Sequence, residues 1–123
     1  NILRDILEDR RIGRIYLPAT DLERFGVRME LDETGSMFTD DEDGLLALIA
    51  WNGIRAERWY REGLALLPEL DHRSAACCGA MAEIYHRLLA RMMARPWDVL
   101  RSRMSLPAGE KLLVASRALA GAR

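Results

Sequence analysis

Residues 1–18 read N-I-L-R-D-I-L-E-D-R-R-I-G-R-I-Y-L-P, and two patterns run through them at once. Ile2, Leu3, Ile6 and Leu7 recur at helical spacing while Arg4, Glu8 and Arg11 take another side, so an amphipathic helix is expected, stopped by Gly13 and Pro18. Asp5 and Asp9 stand four apart, which puts two carboxylates on one helical face about 6 Å from each other. With Arg4, Arg10 and Arg11 beside them, that pair alone reads first as a solvated, salt-bridged face. The wider set is more telling: Asn1, Asp5 and Asp9 at successive spacings of four, Glu8 three after Asp5, and Arg14 and Tyr16 just past the helix end.

Outward from this stretch the sequence keeps reading as helix, and almost nothing reads as strand. Thr20 followed by Glu23 has capping-box spacing, which suggests a short helix through Phe25 ending at Gly26. Residues 28–38 read as a surface loop. Thr39 with Glu42 is a second capping box, and the acidic run from Asp40 to Asp43 would sit where the helix dipole favours negative charge. From there a helix to about Leu67 would span roughly 40 Å. Pro68 ends it, a helix starting at Asp71 or Ser74 runs to about Ala94, and Pro96 to Met104 and Pro107 to Ala120 are two shorter ones. The expected fold is all-α, with more apolar helix surface than the helices can bury among themselves.

Composition removes several functions. The 123 residues hold 18 Lys or Arg against 19 Asp or Glu, a formal net charge of -1, so the basic excess that nucleic-acid binding needs is absent. No apolar run of bilayer length or signal-peptide type occurs. Cys77 and Cys78 are adjacent, which disfavours an unstrained disulfide. They read as two small buried helix residues in a reducing cytosol, without His72 and His86 as metal partners. Of the basic residues only Lys111 is lysine. The arginine forks suit carboxylates and phosphates, although such a count also arises from codon bias.

Hard oxygen donors spaced like Asn1, Asp5, Glu8 and Asp9 suit Mg²⁺, which keeps several waters and shares its shell with substrate phosphates. At this level the chain resembles the squalene/phytoene synthases. N-I-L-R-D-I-L-E-D followed by R-I-Y-L-P is similar to the family's second aspartate-rich signature. W-Y-R-E-G-L-A-L-L-P, A-M-A-E-I-Y, V-L-R-S-R-M-S-L-P and E-K-L-L-V-A resemble its C-terminal half. R-S-A-A-C and S-L-P-x-x-E-K look closest to the bacterial presqualene diphosphate branch, with phytoene synthases second.

The resemblance implies a helical bundle of the isoprenoid (terpenoid) synthase type, with residues 1–123 a C-terminal portion of one domain. It also implies head-to-head condensation of two allylic prenyl diphosphates, farnesyl diphosphate to presqualene diphosphate or squalene, or geranylgeranyl diphosphate to phytoene. By the same resemblance Asn1, Asp5 and Asp9 would be Mg²⁺ ligands with Glu8 outside them. Arg4 and Arg14 would hold the diphosphate with Tyr16 beside it, and Tyr85 and Arg103 would lie near the second diphosphate. Tyr85 also reads as a buried helix aromatic and Arg103 as an ordinary surface arginine. Ionising an allylic carbon–oxygen bond leaves a cation and a diphosphate, so metal and arginine stabilise the departing anion and a dry channel protects the cation. Met81, Met92, Met93, Trp51 and Trp59 could line that channel, or simply form core.

Asp40 to Asp43 contain no D-x-x-x-D and do not read as the family's other aspartate-rich motif, and no glycine-rich dinucleotide fingerprint is present. The chain lacks an initiator Met and its signature begins abruptly, so the remainder of an enzyme is expected to be missing, and the 123 residues alone are expected to be inactive. The expected location is the cytoplasm, with peripheral membrane contact for product release. Two rivals are a family member acting as an interaction protein and a plain helical interaction module.

Overall fold

The structure is a computed structural model that describes residues 1–121. Six α-helices follow one another: α1 (Ile6–Arg11), α2 (Ala19–Phe25), α3 (Glu42–Leu64), α4 (His72–Ala94), α5 (Pro96–Arg101) and α6 (Ala108–Gly121), with a 3-10 turn at Leu67–Glu69. Among the described residues the only β pairing is an isolated antiparallel bridge, Leu31 to Phe38. The all-α expectation therefore holds. The chain forms two compact units, residues 1–54 with 92–104, and residues 55–91 with 105–123.

In the first unit a short helix is made stable by what it buries. Six residues cannot hold a helix in water, so α1 depends on tertiary packing. Ile6 and Leu7 supply it, Leu7 with no exposed surface, and α1 lies against α5, whose Val99 and Leu100 are buried. Pro96 at the first position of α5 starts that helix without losing a needed donor. Leu45, Leu48 and Ile49 on α3 complete the core with Leu3, Leu17 and Val27. Where α2 ends and α3 begins the backbones approach closely: a Cβ on Gly44 would come 2.8 Å from the Phe25 carbonyl oxygen.

Several helix boundaries differ from the sequence expectation, each for a local reason. Before α1, residues 2–5 form turns, and the regular helix starts only at Ile6. Thr20 lies inside α2, whose N-cap is Pro18 without a side-chain bond, while Gly26 closes the helix in the left-handed conformation as expected (φ 64°). At α3 the cap is Asp41, not Thr39: its Oδ2 accepts the Gly44 N–H at 3.0 Å. Thr39 instead donates its N–H to the Glu30 carbonyl, and Asp40 accepts the N–H groups of Arg28 and Glu30. The acidic run is thus helix and loop punctuation. Helix α3 ends at Leu64 rather than about Leu67, because Pro68 forces the following residues into a 3-10 turn.

In the second unit the core is thin: Leu88, Leu89, Leu106 and Val114 are buried, whereas Trp59, Leu66, Met81 and Leu112 are each more than 60% exposed. Cys77 and Cys78, expected buried, are exposed. The buried stripe of α4 runs through Leu88, Leu89 and Met92 toward its C-terminal end, leaving the start of the helix uncovered. Of the channel candidates only Met92 is fully buried. Met93 packs its sulfur over Gly53, where a Cβ would fall 1.9 Å away.

Candidate active site

The backbone stacks the three expected ligands in one column. Asp5 N–H donates to the Asn1 carbonyl at 3.0 Å and Asp9 N–H to the Asp5 carbonyl at 2.8 Å, so the spacing of four in sequence becomes successive helical turns. The column ends in a Schellman closure. Gly13, at φ 77°, donates to Arg10, and Arg14 donates its N–H back to the Asp9 carbonyl at 2.9 Å. Glycine is favoured at that left-handed position, and the closure returns Arg14 alongside Asp9. Arg14 then donates through Nη1 to the Tyr16 hydroxyl at 3.2 Å. Asp9, Arg14 and Tyr16 line one small cleft together with Ile2, Ile6 and Met29.

The carboxylates of this column differ sharply in environment. Asp5 is gripped by Arg4, Nε to Oδ1 at 2.9 Å and Nη2 to Oδ2 at 2.5 Å, and Arg103 adds Nε to Oδ1 at 2.7 Å. The Arg4 hydrogen bonds first, then Arg103 against the opposing effect of burial, pull the Asp5 carboxyl below its ordinary 3.8 to about 2. No hydrogen bond or ion pair of the described residues engages the Asp9 carboxylate. Glu8 Oε2 is buried without a hydrogen-bond partner among the described residues. A buried carboxylate oxygen is costly to leave unpaired, and a cation is one group that would satisfy it.

Those observations bear on the expected Mg²⁺. Among the described residues no group of three or more His, Cys, Asp or Glu side chains could hold a metal ion unaided. The expected set is one asparagine and two aspartates, and Mg²⁺ is commonly held by one or two carboxylates, waters and substrate phosphates. The donor chemistry and the orphaned Glu8 oxygen fit such an ion.

Asn1, Arg4, Asp5, Asp9, Arg14, Tyr16 and Arg103 all lie in the first unit, while Tyr85 lies half-buried on α4 in the second. There Tyr85 neighbours Tyr60, whose hydroxyl is pushed up by burial first, then by Tyr85 and Glu57. Arg10 and Arg11, read from the sequence as salt-bridge partners of the aspartates, anchor the loop instead: Arg10 Nε donates to the Met29 carbonyl at 2.6 Å and Arg11 Nε to the Gly35 carbonyl at 2.7 Å, which sequence reasoning missed. It also missed His86 Nε2 against Glu57 Oε2 at 2.7 Å, with the Tyr60 ring 5.0 Å away. Those partners come from two helices 29 residues apart, so no local motif announces them.

The squalene/phytoene synthase family profile matches residues 1–110. The chain belongs to the squalene/phytoene synthase family. The proteins named phytoene synthase in Mycobacterium tuberculosis and Mycobacterium bovis are each 53% identical over 98% of the chain and 39% of their own length. That of Thermus thermophilus is 36% identical over the whole chain and 41% of its length. The presqualene diphosphate synthase of Zymomonas mobilis is 32% identical over 79% of the chain and 32% of its length. The chain thus spans about two-fifths of the length of these phytoene synthases. No solved structure matches it. Family membership accounts for the all-α architecture, and the family and these relatives are prenyltransferase-type synthases. The names of the relatives do not specifically favour the presqualene branch that the R-S-A-A-C and S-L-P-x-x-E-K segments suggested.

The Asp5 contacts carry a pH prediction. A carboxyl whose pKa is lower folded than unfolded stabilises the fold above its unfolded value and loses that contribution as pH falls through the folded one. Wild type is therefore expected to exceed Asp5→Asn in stability by about 1 kcal/mol near neutral pH, after discounting for partial exposure. The gap should close as pH drops from 3.8 toward about 2. Denaturant midpoints across that range check it, and a gap that widens in acid would sink the assignment.

Proposed function

We propose that the chain supplies the second aspartate-rich motif of a head-to-head prenyl synthase that converts two molecules of geranylgeranyl diphosphate to phytoene. What carries the reading is the Asn1–Asp5–Asp9 column with Arg14 folded back beside Asp9. Asn1, Asp5 and Asp9 would hold Mg²⁺, with Glu8 next to them, and the ion would supply charge stabilisation for the departing diphosphate. Arg14, an exposed fork beside Asp9, binds diphosphate oxygens, and Tyr16 orients Arg14 through its hydroxyl. Arg4 fixes the Asp5 carboxylate in place and lends positive charge to the same region. In the second unit Tyr85 stands as the residue for the second diphosphate. The apolar chains must be held in register away from water, a task for the helical faces of the whole protein.

The phytoene branch rests on the 53% and 36% relatives. The presqualene reading keeps the support of R-S-A-A-C, S-L-P-x-x-E-K and the Zymomonas mobilis relative. No helix among the described residues is long and apolar enough to cross a membrane. Peripheral contact would serve release of an apolar product from a cytoplasmic enzyme. The 123 residues alone, with one aspartate-rich motif, are expected to give no turnover.

Product analysis of the complete protein with C15 and C20 diphosphates and Mg²⁺ tests the reading. A C40 hydrocarbon from the C20 substrate is expected. A C30 product from the C15 substrate alone would replace phytoene by the presqualene branch, and no product from either would favour a non-catalytic interaction protein.

A further inference from the structure

Arg103 reaches Asp5 across 98 residues of sequence, and its Nε sits 2.7 Å from the same Oδ1 that Arg4 Nε already holds at 2.9 Å. The two arginines are not equivalent. The Arg4 side chain is 17% exposed and grips both oxygens from the neighbouring residue, whereas that of Arg103 is 57% exposed and makes a single contact among the described residues. Arg103 also follows the end of α5, where Ser102 is already extended, so no helix restrains its side chain.

We propose that Arg103 is a latch on the metal site: it occupies the Asp5 carboxylate, and it must leave before Asp5 can ligate a divalent ion. The inference rests on the metal reading above and adds regulation of that site. A guanidinium and a divalent cation on one carboxylate oxygen repel each other, and a metal ligand has little room for both. The partner that yields is the exposed, singly bonded one. Arg4 stays, because its two parallel bonds are the stronger arrangement. Latching lowers the apparent affinity for a lone cation by the fraction of molecules in which Asp5 is blocked. Released, Arg103 becomes an uncommitted positive fork in the same unit as Asp9 and Arg14, at the moment the site is loaded.

Mn²⁺ titration of the complete protein, followed by electron paramagnetic resonance of the free ion, tests this without turnover. Exposed ion pairs of this type are weak, so Arg103→Gln is expected to bind Mn²⁺ about two- to fivefold tighter than wild type. The difference should shrink as salt is raised. Arg103→Lys, which keeps the charge but loses the planar fork, should fall between. A purely structural role for Arg103 predicts the opposite, weaker binding, and thermal melting of each variant separates misfolding from either result. Unchanged or weakened Mn²⁺ affinity in folded Arg103→Gln overturns the latch alone. Failure of the wild type to bind Mn²⁺, or binding indifferent to Asp9→Asn, overturns the metal reading and the latch together.

Discussion

An Asp9→Asn variant of the complete protein is expected to lose about a hundredfold or more in kcat/KM while melting at the wild-type temperature. Both halves follow from the environment of this carboxylate. It lines the cleft shared with Arg14 and Tyr16 and has no ion pair among the described residues to lose, so the nearly isosteric amide should cost the fold under about 0.5 kcal/mol. Removing one preorganised group that stabilises departing charge typically costs 10²–10³ in rate, on the order of 3–4 kcal/mol of barrier. Asp5→Asn should differ instructively, losing activity and also the stability conferred by Arg4 and Arg103. Steady-state kinetics with melting curves for both variants are the measurement. A loss below tenfold for folded Asp9→Asn would remove Asp9 from the site.

How much of this was legible in the sequence depends on how far apart the partners lie. The column of Asn1, Asp5 and Asp9 was readable because helical period alone determines it, and the closing turn was readable at Gly13 because a left-handed residue is needed there. Capping was half readable: the acidic run before α3 was correctly read as punctuation, but the choice of Asp41 over Thr39 depends on which backbone groups the 28–38 loop claims first. The Arg103 contact with Asp5 was not readable at all, because nothing local ties residues 98 apart. Cys77 and Cys78 misled for a related reason. Burial is decided by what covers a helix, and the start of α4 is left uncovered although its composition resembles core.

Leu7→Ala should produce the largest loss of stability tied to the site, about 3 kcal/mol, and with it a fall of roughly tenfold in Mn²⁺ affinity. Leu7 has no exposed surface and lies between Asp5 and Asp9 in sequence, on the opposite side of a helix six residues long. Such a helix persists only because Ile6 and Leu7 are buried in the unit where α1 meets α5. A cavity at Leu7 therefore frees the segment that aligns the proposed ligands Asn1, Asp5 and Asp9. Leu48→Ala is the matched control, since Leu48 is equally buried but belongs to α3. It should cost a similar 3 kcal/mol and leave the metal affinity of folded molecules within about twofold. Denaturant unfolding gives the stabilities, and Mn²⁺ titration under conditions where each variant is folded gives the affinities. If both substitutions weaken the cation equally, general loosening of the core explains the effect and α1 has no special place in the site. If only Leu7→Ala does so, the buried side of α1 is what holds its acidic side in register.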